Sequence, residues 1–221
     1  MSVLDGIVTD MADYQAAWVP ELDGWDWDEA AELAVEWVER ECAEQRTRGL
    51  LITMTRSSGD SVPALMRFAQ RHDHTTPRSR SRPDRRRPVL VYVPDARALD
   101  FAAGIARGSS LCAVEGFSTP LGGWARDAGA VDLTGTAPAP APLDPRLAEA
   151  LDRLHFYGNN GWTRGFGQDQ SRPILEQLRV DGLLDRHAIT GAMLARNHSG
   201  KAVKRLGDLI SKVHGTEAPN H

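Results

Sequence analysis

The sequence predicts an α/β protein, with a small, mostly parallel four-stranded sheet covered by helices and followed by an all-α C-terminal module. Three observations carry this reading. Between residues 28 and 135, short apolar runs alternate with helical patterns. The runs are apolar at nearly every position, as in strands covered on both faces. A proline and alanine stretch then separates them from a region with helical periodicity alone.

Residues 1–27 read as an irregular acidic segment. Gly6, Pro20 and Gly24 interrupt any period, while Trp18, Trp25 and Trp27 give it something to dock with. Asp26 followed by Glu29 resembles a capping box, and Ala30, Ala34, Trp37, Val38 and Cys42 recur at helical spacing, so a helix with an acidic outer face is expected. GLLITM (49–54) reads as the first strand. Val62, Leu65, Met66 and Ala69 form a helix stripe, with Pro63 in the first turn, where its missing N–H costs nothing.

PVLVYVP (88–94), rich in β-branched and aromatic residues, is the clearest strand. Asp95 caps a helix whose inner face is Leu99, Ala102, Ala103 and Ala106 and which ends at Gly108. SLCAVE (110–115) is a third strand. Thr119 and Pro120 start a short helix through Trp124 to Ala128, and AVDL (130–133) is the fourth strand. The order β-α-β-α-β-α-β requires right-handed crossovers, so residues 28–135 are expected to form a Rossmann-like unit.

Residues 136–145, TAPAPAPLDP, cannot make a regular helix and read as an extended spacer and domain boundary. Beyond it, Leu147, Leu151, Leu154 and His155 mark a helix, and GNNGWTRGFG (158–167) a loop. Residues 173–178, 187–197 and 201–213 mark further helices. The helical module therefore spans 146–214, with 215–221 as a tail.

No run approaches the roughly 18 apolar residues of a membrane span. The N-terminus has acids where a secretion signal carries bases. Cys42 and Cys112 lie far apart and outside any CxxC pattern. A soluble cytoplasmic protein without membrane partners is expected. Cys112 reads as a buried core residue, and His72-Asp73-His74 as a poor metal site because it opens a cationic loop, so no metal ligands are assigned.

The net charge of −4 hides a strong asymmetry. Thirteen acids face one base, Arg40, between Met1 and Gln45. Eight arginines face Asp73 and Asp84 between Arg67 and Arg87, and six bases face Asp208 between Arg186 and Lys212.

In an open parallel sheet, ligands sit beyond the carboxyl ends of the strands. That rule selects TRSSGD (55–60), where Arg56, Ser57, Ser58 and Gly59 form a candidate phosphate loop, although it matches neither GxGxxG nor GxxxxGK[ST] and names no cofactor. A turn that merely caps the next helix has the same residues. The rule also selects Asp95 and Glu115 as candidate catalytic carboxylates. An N-cap role explains Asp95 by itself, whereas Glu115 has no such local explanation. If the strands are parallel, these residues converge on one cleft.

Residues 73–87 read as a mobile arginine-rich insert, rooted at the sheet edge opposite the ligand loops. Arg78, Arg80, Arg82, Arg85, Arg86 and Arg87 suit phosphate-backbone contact, or else pairing with the protein's own acidic N-terminus. Residues 189–210 fit a helix-turn-helix, with Asn197 in a left-handed turn position and Ser199, Lys201, Lys204 and Arg205 presented by the second helix. A generic helical hairpin has the same spacing.

Three functional expectations follow. The first is a nucleic-acid-associated protein that uses both basic stretches, an idea that an isoelectric point near 6.0 does not favour. The second is an enzyme or sensor for a nucleotide-like phosphate ligand. The third is an interaction module whose acidic N-terminal segment docks on a basic partner or a second copy of the chain.

Overall fold

The computed structural model describes residues 12–135 and 142–215. Its sheet is wholly parallel and has six strands in the order β3-β2-β4-β5-β1-β6. The strands are β1 (Gln15–Val19), β2 (Leu50–Ile52), β3 (Asp73–Thr75), β4 (Val89–Tyr92), β5 (Ser110–Val114) and β6 (Val131–Asp132). The four expected strands are β2, β4, β5 and β6.

The two additional strands lack strong local signals. In β1, QAAWV sits inside an acidic stretch and has one β-branched residue, yet Ala16 and Ala17 are buried between β5 and β6. Neighbouring strands on both sides, rather than propensity, hold it extended. In β3, DHT pairs with β2 alone at the sheet edge.

Helices α1 (Trp27–Gln45) and α2 (Pro63–Arg71) cover one face. They bury Ala31, Ala34, Val38, Leu65 and Phe68 against Leu51, Leu90 and Cys112. As expected, Asp26 caps α1, its carboxylate accepting the Asp28 amide. Helices α3 (Ala96–Ala106) and α4 (Gly122–Asp127) cover the other face. Helix α4 starts later than expected because Thr119 bridges Gly116 and the Glu115 carboxylate takes the Leu121 amide.

The C-terminal part is helical, with α5 (Pro145–Tyr157), α6 (Phe166–Val180), α7 (Arg186–Ala195) and α8 (Gly200–His214). Helix α6 begins before the expected 173 and carries Pro173 inside it. The carbonyl that this proline leaves without its helical donor belongs to Asp169, an exposed residue.

One buried cluster runs from the sheet through α3 and α4 into α5–α8. At the α4–α7 crossing there is no room for side chains: a Cβ on Gly191 would lie 2.6 Å from the Trp124 amide nitrogen, and one on Gly123 2.5 Å from the Ala188 carbonyl oxygen. Of the expected spacer, residues 136–141 lie outside the described residues, as do 1–11 and the tail from 216. No helix among the described residues is long and apolar enough to cross a membrane.

Candidate functional site

Parallel topology sends the ends of β2, β4 and β5 to one edge, so Ser57–Gly59, Asp95 and Glu115 share it. They do not share one cleft there. Gly59 lines a cavity with Asp60, Gln70 and His74 beside α2, whereas Glu115 lines another with Glu21 and Trp27 beside α1. The end of β4 stands between them, and Asp95 is occupied as the N-cap of α3, accepting the Ala98 amide at 2.7 Å.

The TRSSGD loop folds into a short 3-10 turn, Arg56–Gly59, whose hydroxyls satisfy one another. Thr55 and Ser58 are 2.6 Å apart, and Ser58 Oγ also accepts the Thr55 amide. Such a turn offers no helix-length array of free amides to an anion. Next to it, Thr53 donates to the Thr55 carbonyl at 2.6 Å and so accepts from His74 Nε2 at 2.7 Å, which fixes that tautomer. Burial lowers the His74 pKa, the Arg56 charge adds to this, and Asp60 opposes it.

The arginine-rich insert departs from expectation in its rooting. Because β3 is a parallel strand, the insert leaves at the carboxyl edge, beside the ligand loops, and runs back along α3 to the start of β4. No crossover helix occupies this path. Instead the Arg97 guanidinium donates to the Pro77 carbonyl at 3.4 Å, and the Arg86 amide donates to Ile105 O at 2.8 Å.

Among the described residues, the arginines of residues 67–87 that form ion pairs are Arg67 with Glu32, Arg71 with Glu39, and Arg87 with Asp73. The acidic N-terminal helix thus neutralises α2 rather than the insert. Arg87 is a correction to the phosphate-contact set. It is 8% exposed, donates to the Arg48 and Gly49 carbonyls and pairs with Asp73 at 2.7 Å, which makes it structural. Arg78, Arg80, Arg82, Arg85 and Arg86 stay exposed.

At the other end of the chain, Asn197 takes the expected left-handed conformation (φ 64°) between α7 and α8, and Val203 and Leu206 are buried. Helix α8, however, is buried along about half of its girth, and Gly200 is set against the backbone of Ala96 and Arg97. Ser199 caps the helix, Lys204 pairs with Asp208 at 2.9 Å, and Arg205 holds the Gly161 carbonyl at 2.7 Å. Of the four residues expected on this helix, Lys201 is left exposed at its first turn without an ion pair among the described residues.

Helix α3 is where the two basic stretches meet. Its outer stripe (Arg97, Asp100, Phe101, Gly104, Arg107) is flanked by the insert through Pro77 and Arg86. It is also flanked by the α7–α8 turn through Gly200 N to Asp100 (2.9 Å) and Arg107 to Asn197 (3.3 Å). Between insert and helix lies a cavity of about 450 Å3 lined by Ser79, Arg82, Arg85, Arg97, Asp100 and Phe101. The carboxylate in it is engaged by Gly200, and burial raises its pKa.

Arg97 and Phe101 were not singled out by sequence. The usable signal was an aromatic residue left on the outer face once Leu99, Ala102, Ala103 and Ala106 are assigned inward. Compared with known protein families, with curated proteins and with solved structures, the chain matches none.

Proposed function

We propose that the protein binds a phosphodiester chain, that is nucleic acid, along the groove between the arginine-rich insert and α3. One observation carries this: α3 brings both basic stretches together on the sheet face opposite the acidic helix α1. Arg82, Arg85 and Arg97 line the groove without carboxylate partners among the described residues, and each guanidinium suits bidentate contact with a phosphate. Segregated charge also answers the objection of a near-neutral isoelectric point, because a phosphate backbone responds to the local field rather than to the total. Nothing in the groove dictates a base sequence, so backbone contact without sequence preference is expected.

Fluorescence anisotropy with duplex and single-stranded probes across a salt series tests this. Affinity should fall steeply with salt, and each removed phosphate contact should reduce the magnitude of the log–log slope by about 0.7 to 0.9. The triple variant Arg82→Glu, Arg85→Glu, Arg97→Glu should abolish binding. Absence of binding at low salt, or binding unchanged in that variant, overturns the proposal. The cavity size also falls within the range of about 300–1,000 Å3 usual for small ligands, which favours a mononucleotide as the second reading. Mononucleotide titrations of the same variant provide that arm.

A further inference from the structure

A second cavity lies at the carboxyl edge of the sheet, where neighbouring strands diverge. β1 leads into α1 on one face, whereas its neighbour β5 leads on towards α4 on the other. This divergence opens a crevice of the kind that holds ligands in parallel sheets. The turn after β1, residues 20–26, and the start of the loop after β5 close it into a cavity of about 90 Å3. That is well below the range of about 300–1,000 Å3 usual for drug-sized ligands, so it suits a compact head group rather than a nucleotide.

The lining has one sign of charge. Its ionisable lining residues are Glu21, Asp23, Asp26 and Glu115, of which Asp26 also caps α1, and no lysine, arginine or histidine lines it. The remaining walls are apolar, made by Pro20, Leu22, Gly24 and Ala30 together with three aromatic residues. Trp25, Trp27 and Phe117 line it, with the Trp27 and Phe117 rings 5.2 Å apart and edge-on at 82°. Phe117 is 76% exposed, so its ring is accessible to a ligand at the cavity mouth. Glu115 is fixed from behind, accepting the Leu121 amide at 2.9 Å and the backbone amide of Glu21. It is part-buried with no cationic side chain beside it in the cavity.

Carboxylates beside aromatic rings recognise organic cations: the charge is met by the acids and the alkyl shell by the ring faces. We propose that this cavity binds the head group of an organic cation, an alkylammonium or alkylguanidinium. The site shares no residue with the α3 groove, so it stands whether or not that groove binds nucleic acid.

NMR of the tryptophan indole N–H signals in the full chain tests it, using choline, butylammonium and butylguanidinium as probes and 3,3-dimethyl-1-butanol as the uncharged analogue of choline. At least one cation should shift the Trp25 and Trp27 signals saturably while leaving those of fully buried Trp124 and Trp162 in place. Which of the three binds best distinguishes a quaternary, a primary and a guanidinium ligand. The neutral alcohol should bind about tenfold more weakly or worse, and Glu115→Gln and Phe117→Ala should each weaken the cation about fivefold or more. Phe117 is exposed, so its variant folds and keeps the test decisive. No saturable shift with any cation, equal affinity for the alcohol, or unchanged affinity in either variant overturns the proposal.

Discussion

On the α1/α2 face of the sheet, arginines meet carboxylates supplied by a neighbouring helix, Arg67 with Glu32 and Arg71 with Glu39, and both pairs are about half exposed. On the α3 face, Arg82, Arg85 and Arg97 line a cavity whose one carboxylate is already engaged by a backbone amide. The residue type is the same, and the chain distance between the groups is small. What differs is the element each is anchored to. α2 packs beside acidic α1, while the insert packs beside an alanine-rich helix that has little charge to offer. An arginine is available for a ligand when its neighbours in space, rather than in sequence, leave it unpaired.

Arg87 sharpens that contrast most strongly, because it follows Arg85 and Arg86 directly and yet belongs to the paired class. Arg87→Ala would remove a buried guanidinium that donates to the Arg48 and Gly49 carbonyls and is the nearer of the two arginines beside Asp73. We expect a loss of about 2–3 kcal/mol, against less than about 0.5 kcal/mol for exposed Arg85→Ala. Urea denaturation midpoints at equal slope measure both. Equal effects would mean that the insert is one uniform solvated loop.

The second largest effect is expected where the α3/α4 face carries a further layer of helices and the α1/α2 face does not. Gly191→Ala drives a Cβ into the backbone of Trp124 and Gly123 at the α4–α7 crossing, where nothing can rotate away. The same change at Gly49 meets the ends of Phe68 and Cys42, which have some freedom. The expected losses are about 2 and about 1 kcal/mol. A reversed order would show that the helical layer yields more easily than the sheet side.

The parts of this architecture that were legible in sequence share a physical origin. PVLVYVP and SLCAVE announce strands because β4 and β5 are buried on both faces and every position but Ser110 is largely apolar. β1 and β3 were not legible, since alanines in the one and Asp-His-Thr in the other become strands only through their partners. Missing β3 also misplaced the root of the insert. The arginine-rich insert was visible by composition, but the Arg87–Asp73 pair and the approach of α8 to α3 are tertiary facts, separated by fourteen and about one hundred residues. For the carboxyl edge, topology placed Glu115 and Gly59 correctly on one side. It could not show that the end of β4 divides them between two cavities.

Protons offer a third test of the two faces. His198, in the helical layer, lies 2.9 Å from His155, and its pKa is pushed down to about 4 by burial first, then by the His155 and Arg196 charges. His72, on the α1/α2 side, is also lowered by burial, but Glu39 opposes the shift. In both cases the folded state favours the neutral ring. The stability involved is present above the unfolded value of about 6.5 and is lost as pH falls, because the unfolded chain takes up the proton first. For His198 the loss runs from about pH 6.5 down to about 4, and we expect about 1 kcal/mol after allowing for partial exposure. Thermal midpoints between pH 7 and 4 should flatten in His198→Gln, and flatten less in His72→Gln. An unchanged pH profile in His198→Gln would place the acid sensitivity elsewhere.

The smallest expected stability effect tests the comparison most directly. Arg67→Ala with Arg71→Ala removes two half-exposed ion pairs, each worth no more than about 0.5 kcal/mol in the presence of salt. Arg82→Ala with Arg85→Ala removes two arginines that line the α3 groove. Each double variant lowers the net charge by two from −4, so total charge is matched and only location differs. Both should unfold close to wild type. In nucleic-acid binding they should part: the α2 variant keeps the wild-type salt slope, while the groove variant loses about 1.4 to 1.8 from its magnitude if both arginines hold phosphates. Equal weakening in the two would mean that binding follows net charge through a diffuse field. The division of the molecule into a self-neutralised face and an available one would then have no functional content.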